Sequence, residues 1–181
     1  MVQGLRVPRV LTALLVGAAL AASGAALQAL FRNPLADPGL IGTASGAALG
    51  VILLLFLGGV GGLSVPLAAF AGGLAATQLI VLLNGLVRGG ETGLLLIGLV
   101  VGACCGALTS LLLFLSDDLT LRGAMAWLAG NLGEAGFASL GSASAIMLLG
   151  LALLLAVGRQ LDALLLGEES AQALGIDVAR T

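Results

Sequence analysis

The chain has 181 residues, 60% hydrophobic and 9% charged, with a mean hydropathy of +1.20. Ordinary soluble domains carry roughly 25% charged residues, so the side chains for a water-facing surface are missing, as is the charge-rich composition of a disordered chain. Seven bases, all arginine, against nine acids give a net charge of −2. No basic run offers nucleic acid the electrostatic footprint it requires.

The charges fall in short islands, and the uncharged runs between them are residues 10–31, 38–87, 92–116 and 135–158. A helix rises about 1.5 Å per residue, so a hydrocarbon core about 30 Å thick takes about 20 residues. Backbone polar groups in lipid must be bonded within their own segment, so these runs predict helices. The expected spans are Val10–Leu30, Gly39–Leu57, Val65–Val87, Gly93–Leu115 and about Leu140–Val157, an all-α, polytopic transmembrane bundle of about five spans over residues 1–158.

Arg6 and Arg9 ahead of the first run, with Ala21-Ala22-Ser23 within it, are also the pattern of an export signal. Four further apolar runs make a retained span the expected reading. The second and third spans are parted by 58–66, where a glycine cluster precedes Pro66. Gly46 and Gly50, and Gly98, Gly102 and Gly106, recur every fourth residue, the spacing that lets helix backbones approach closely in lipid. Cys104 and Cys105 read as small apolar fillers.

Enzyme chemistry has little to stand on. The absence of His removes the Ser-His-Asp and Cys-His arrangements, and there is no Lys to complete a phosphate-binding P-loop. No carboxylate lies inside an expected span, so an intramembrane proton relay is unsupported. If ATP is used, another chain binds it.

Two polar islands carry the information. In 32–39, Arg-Asn-Pro-Leu-Ala-Asp-Pro-Gly, two prolines forbid a continuous helix, and Asn33 and Asp37 can cap the freed ends. The residues alone leave open a tight hairpin or a structured loop at the mouth of a pathway. In 164–175, Gly167 and Gly175 can each end a short helix, and Glu168 and Glu169 then sit in a first turn, where negative charge is favourable. Its acidic character suits a protein partner better than anionic lipid.

On these residues the chain resembles the ABC-transporter permeases that import iron-siderophores, haem and vitamin B12. Residues 17–42, with Ser45-Gly46-Ala47, look like that family's most distinctive stretch, and Leu-Gly-Glu-Glu-Ser-Ala-Gln-Ala-Leu-Gly at 166–175 looks like its ATPase-coupling helices. Trp127 and Gly130 sit where the family has a Trp-containing segment. Family members have about ten spans, so the resemblance implies that this chain holds the second to sixth, plus a cytoplasmic coupling segment at 159–181, as a fragment or truncated product.

The resemblance implies a transmembrane permease subunit in the cell inner membrane. It would not be an enzyme and would bind no cofactor or metal. A metal chelate would pass from a separate substrate-binding protein into the cytoplasm. The implied partners are a second permease, as homodimer or heterodimer, two ATP-binding subunits that hold ATP and magnesium, the binding protein and membrane lipid. Arg6 and Arg9 would dock the binding protein; Asn33, Leu35 and Thr92 would form the cytoplasmic gate. Glu91 departs from the small hydroxyl residue of the B12 relative. Gly167, Glu168, Glu169, Ala171, Leu174 and Gly175 would couple to the ATPase.

The same orientation puts Arg32, Arg88, Arg159 and Arg180 inside and Arg6, Arg9 and Arg122 outside, a weak positive-inside bias. Two other classes remain: a secondary transporter or exporter of small apolar compounds, and a non-functional fragment with inherited motifs.

Overall fold

A computed structural model describes residues 6–59, 64–130, 137–165 and 167. Among them the chain is all-helical: α1 (Val7–Leu30), a 3₁₀ turn (Pro38–Ile41), α2 (Thr43–Phe56), α3 (Ser64–Val87), α4 (Gly90–Leu115), α5 (Asp118–Leu128) and α6 (Phe137–Leu165). The chain divides into two units. The first comprises Met1–Asp37 with Ala135–Thr181, the second Pro38–Glu134.

Four helices among the described residues are long and apolar enough to cross a membrane: Val7–Leu30, Ser64–Val87, Thr92–Leu115 and Ser144–Leu165. The expected span at 39–57 differs. Its first residues form the 3₁₀ turn, Gly42 takes φ +80°, and α2 proper has 14 residues. The left-handed glycine stops the helix from extending backwards, which hydropathy cannot register.

The last span also differs from expectation. Helix α6 begins three residues before Leu140 and runs on past Val157 to Leu165. Arg159 and Asp162 therefore lie on the helix, not in a separate segment beginning at 159. Nothing in Arg159-Gln160-Leu161-Asp162 breaks a helix, and long polar side chains at a span's end can reach the interface.

In the first unit α1 packs on α6. Ala22 and Ala26 of α1 share a cleft of about 230 Å³ with Leu151 and Gly158 of α6. Farther along both helices, Gln28 and Arg32 share a second cleft with Leu165. Residue numbers rise in the same direction on both, so the two helices run parallel.

In the second unit α2 lies antiparallel on α3, backbone against backbone. A Cβ on Gly46 would sit 2.8 Å from the Gly72 carbonyl oxygen and would meet the Ala76 Cβ; one on Gly50 would sit 3.1 Å from the Gly72 Cα and would meet the Ala68 carbonyl. The 3₁₀ turn presses on α4 in the same way: a Cβ on Gly98 would lie 2.9 Å from the Ile41 carbonyl oxygen, and one on Gly42 2.6 Å from the Gly98 oxygen. Between helices in lipid there is no hydrophobic driving force, so this proximity supplies the dispersion contacts that hold the unit together. Val51, Ile52 and Ile80 are the buried large side chains beside it.

The Thr77 hydroxyl donates to the Gly73 carbonyl (2.9 Å), so at the 3.1 Å Thr43–Thr77 contact Thr43 is the donor. That bond pins the start of α2 to α3. Among the described residues a Cβ on Gly106 would meet nothing within 4 Å, unlike one on Gly98 or Gly102.

Gly50→Ala should therefore destabilise the protein in detergent by about 1–3 kcal/mol, the cost of overpacking a close contact. Gly106→Ala should be neutral or stabilising by up to about 1 kcal/mol, because only backbone entropy changes. Thermal or denaturant melting of the two variants side by side checks the contrast.

Candidate gate and coupling elements

Helix α1 ends in a Schellman motif: Asn33 N–H donates to the Gln28 carbonyl (3.1 Å) and Arg32 N–H to the Ala29 carbonyl (3.3 Å). The left-handed position, where glycine is usual, is held by Arg32 at φ +45°. Such a conformation costs an L-residue about 1–2 kcal/mol.

The chain then turns at Pro34. Asn33 Oδ1 accepts the Leu35 N–H (2.9 Å) and the Asn33 carbonyl accepts the Ala36 N–H (3.0 Å), so Asn33 closes the proline turn and does not cap a following helix. Phe31 and Ala36 are buried on either side, while Leu35 is 82% exposed. The turn is thus anchored at both ends and presents one apolar side chain at its tip.

At the matching end of α6, Ala163 and Leu164 are buried with Leu161 packed on them. Gly167 takes φ +98° and its N–H bonds the Leu164 carbonyl (3.0 Å). It closes the long α6, where the sequence predicted the end of a separate short helix. Asn33, Pro34, Arg32 and Gln28 share a cleft of about 410 Å³ with Leu165. The structure therefore brings Asn33 beside the C-terminal end of α6. Glu168, Glu169, Ala171, Leu174 and Gly175 lie outside the described residues.

Thr92 belongs to the second unit. It is exposed in the first turn of α4, just beyond the α3–α4 turn. That turn repeats the device seen after α1: Gly89 N–H donates to the Asn84 carbonyl (3.3 Å), and Arg88 sits in the left-handed region at φ +53°. By contrast, Gly58 and Gly130 fill this position after α2 and α5. Asn84 Nδ2 also donates to the Gly90 carbonyl (3.2 Å). Asn84 belongs to no motif that the sequence displays. The available signal was an amide in the last turn of an apolar helix with glycines five and nine residues on.

Arg6 precedes α1 and Arg9 lies in its first turn; both are exposed, and Pro8 between them is buried. Cations at a helix N-terminus oppose the helix dipole, so their placement is not explained by helix stability.

Helix α5 lies outside the five expected spans. Asp117 caps it, Oδ2 accepting the Leu119 N–H (3.2 Å), and Ala124 is fully buried on its inner face. A hydrogen bond from the Thr120 side chain, aided by the backbone N–H groups of Thr120 and Leu119, holds the Asp117 carboxyl below the usual carboxylate range.

Among the described residues no group of three His, Cys, Asp or Glu could hold a metal ion. Cys104 and Cys105 line an apolar cleft of about 540 Å³ with Leu53, Leu79 and Val101.

The profile of the FecCD transport family matches residues 1–181. The chain is 43% identical to the hemin transport system permease HmuU of Yersinia pestis over 96% of its length and 54% of the relative's. It is 41% identical to the cobalamin import permease BtuC of Halobacterium salinarum over 98% of its length and 48% of the relative's. A solved metal-chelate type ABC transporter in an inward-facing conformation superposes with a TM-score of 0.89 at 35% identity, over 99% of this chain and 58% of that one. The chain spans about half the length of the curated relatives it matches.

Arg88→Gly should raise stability by about 1 kcal/mol, since glycine takes the left-handed region freely. Melting curves in detergent check it. The lowered Asp117 carboxyl contributes stability above its unfolded-state pKa that is lost as pH falls through the folded value. Asp117→Asn, which keeps a capping oxygen, should flatten that acid dependence, read by α5 amide exchange between pH 3 and 6.

Proposed function

Because the chain belongs to the FecCD transport family, we propose that it is part of the permease subunit of an ABC importer for a metal chelate such as haem or cobalamin. The relatives named as hemin and cobalamin permeases and the metal-chelate transporter fold support this reading. The permease lies in the cell inner membrane, paired with a second permease and two ATP-binding subunits, and receives its cargo from a binding protein.

The observation that carries the mechanism is the parallel packing of α1 and α6, which puts the Asn33–Leu35 turn and the C-terminal end of α6 at one end of a single unit; the coupling role read into the residues that follow is part of the proposal. Parallel spans require an odd number of crossings between them. Helices α3 and α4 supply two, so α2 with its 3₁₀ turn is the third. Laid end to end, at about 2 Å and 1.5 Å per residue, these two pieces reach roughly 29 Å.

With the coupling segment cytoplasmic, Arg32, Arg88 and Thr92 fall on the inner side and Arg6, Arg9 and Arg122 on the outer. Leu35 and Thr92 then belong to the inner gate, where an exposed leucine can exclude water by dewetting. Movement of the ATP-binding subunits reaches the gate through Gly167 and α6, as a rigid-body shift of packed helices. On the outer side the two exposed guanidiniums meet carboxylates of the binding protein and steer its docking.

In the full-length permease, Gly167→Val with Ala171→Trp should leave ATP hydrolysis intact and lower chelate uptake at least about tenfold, a loss equivalent to about 1.4 kcal/mol of coupling. Uptake at the parent level would remove the coupling role. Arg6→Glu with Arg9→Glu should weaken the binding protein's affinity about tenfold or more and reduce its salt dependence, measured by surface plasmon resonance on nanodiscs. Chelate uptake with no ATPase bound would favour a secondary transporter.

A further inference from the structure

Asn84 sits one turn before the end of α3, and its side chain folds back over the start of α4. Nδ2 donates to the Gly90 carbonyl at 3.2 Å. Oδ1 lies in a niche whose floor is two glycines: a Cβ added to Gly89 or to Gly93 would lie 2.7 Å from it. Oδ1 is buried and accepts no hydrogen bond from the described residues. Turning the amide over would set its oxygen against the Gly90 carbonyl oxygen, so the donor's direction is fixed.

The backbone here is tightly constrained as well. Arg88 and Gly90 are both left-handed, at φ +53° and +62°, and the Asn84 carbonyl receives the Gly89 N–H. One residue thus binds the turn twice, once through its carbonyl and once through its amide. Two residues beyond Gly90 stands Thr92. The bonds the Asn84 carbonyl and Nδ2 make to the turn are thus what holds this side chain over the two glycines.

We propose that Asn84 is the positioning residue of the Thr92 gate: its amide latches the α3–α4 turn and so fixes the register at which α4 presents Thr92. The inference rests on the gate reading of Thr92 given above. The latch has a built-in limit. Its bond to Gly90 is one neutral hydrogen bond near an exposed turn, weak enough to exchange when the turn rearranges, and the idle Oδ1 stands ready to accept a donor once the Gly89–Gly93 niche opens.

The test uses the full-length permease with its ATPase in nanodiscs, with Cys104→Ala and Cys105→Ala as background. Spin labels at Leu86→Cys and Leu96→Cys, both on exposed positions of the two helices, report the geometry of the turn. Asn84→Asp places an acceptor against the Gly90 carbonyl, and Gly93→Ala fills the niche without altering Asn84.

Both variants should broaden the 86–96 distance distribution about twofold and lower uptake per ATP hydrolysed about fivefold or more, with the complex's melting midpoint within about 2 °C of the parent. Should the distribution stay narrow, or uptake per ATP hold at the parent value, in either variant, the latch is refuted. A melting midpoint that falls in step with uptake would likewise reduce Asn84 to a structural role and overturn the proposal. Thr92→Ala is read separately. If it leaves uptake per ATP unchanged while the Asn84 and Gly93 variants still broaden the distances, the gate assignment fails and the clamp on the turn does not.

Discussion

Everything in the second unit depends on one constraint: without water to expel from between them, lipid-bathed helices hold together only as closely as their backbones can approach. Gly46, Gly50 and Gly72 remove the side chains that would keep α2 and α3 apart, and Gly42, Gly98 and Gly102 do the same between the 3₁₀ turn and α4. Because the closest atoms at these glycines are backbone or an alanine Cβ, no rotamer change can relieve an added methyl group there. Apart from a few such as Val51, Ile52 and Ile80, large side chains are left to face outward: Phe114 is 85% exposed and Leu86 74%.

That division explains what the sequence could and could not disclose. Charge-free runs mark lipid-facing rods reliably, because one buried charge outweighs many apolar residues. The same signal is blind to backbone conformation. Gly39 to Leu57 reads as one run, yet Gly42 at φ +80° separates a 3₁₀ turn from α2. It also overweights charge at a span's end, so that Arg159 and Asp162, which ride on α6, looked like its boundary. Helix α5 was hidden for the opposite reason. Its Asp117-Asp118 start reads as a polar island, though such a pair is also how a capped helix begins.

The candidate site was legible in kind and not in arrangement. The proline turn at Pro34 announces itself, and its residues carry the resemblance to known permeases. That Asn33 closes the turn and shares a cleft with Leu165, more than a hundred residues away in sequence, depends on the parallel pairing of α1 and α6, and no local pattern encodes that pairing. Arg32 and Arg88 in left-handed positions are likewise beyond any propensity scale, since the scales would place glycine there.

The brevity of α2 reaches beyond this chain. Fourteen helical residues cover only about 21 Å, and α2 approaches the thickness of a bilayer's oily interior only with the 3₁₀ turn laid end to end before it, so any angle between the two pieces leaves the membrane beside α2 to pinch into a dimple or be kept away by other polypeptide. Pinching is cheap for one ångström and dear for several. A membrane of unusual thickness would therefore be felt first at the bend around Gly42, where the two pieces of this crossing meet.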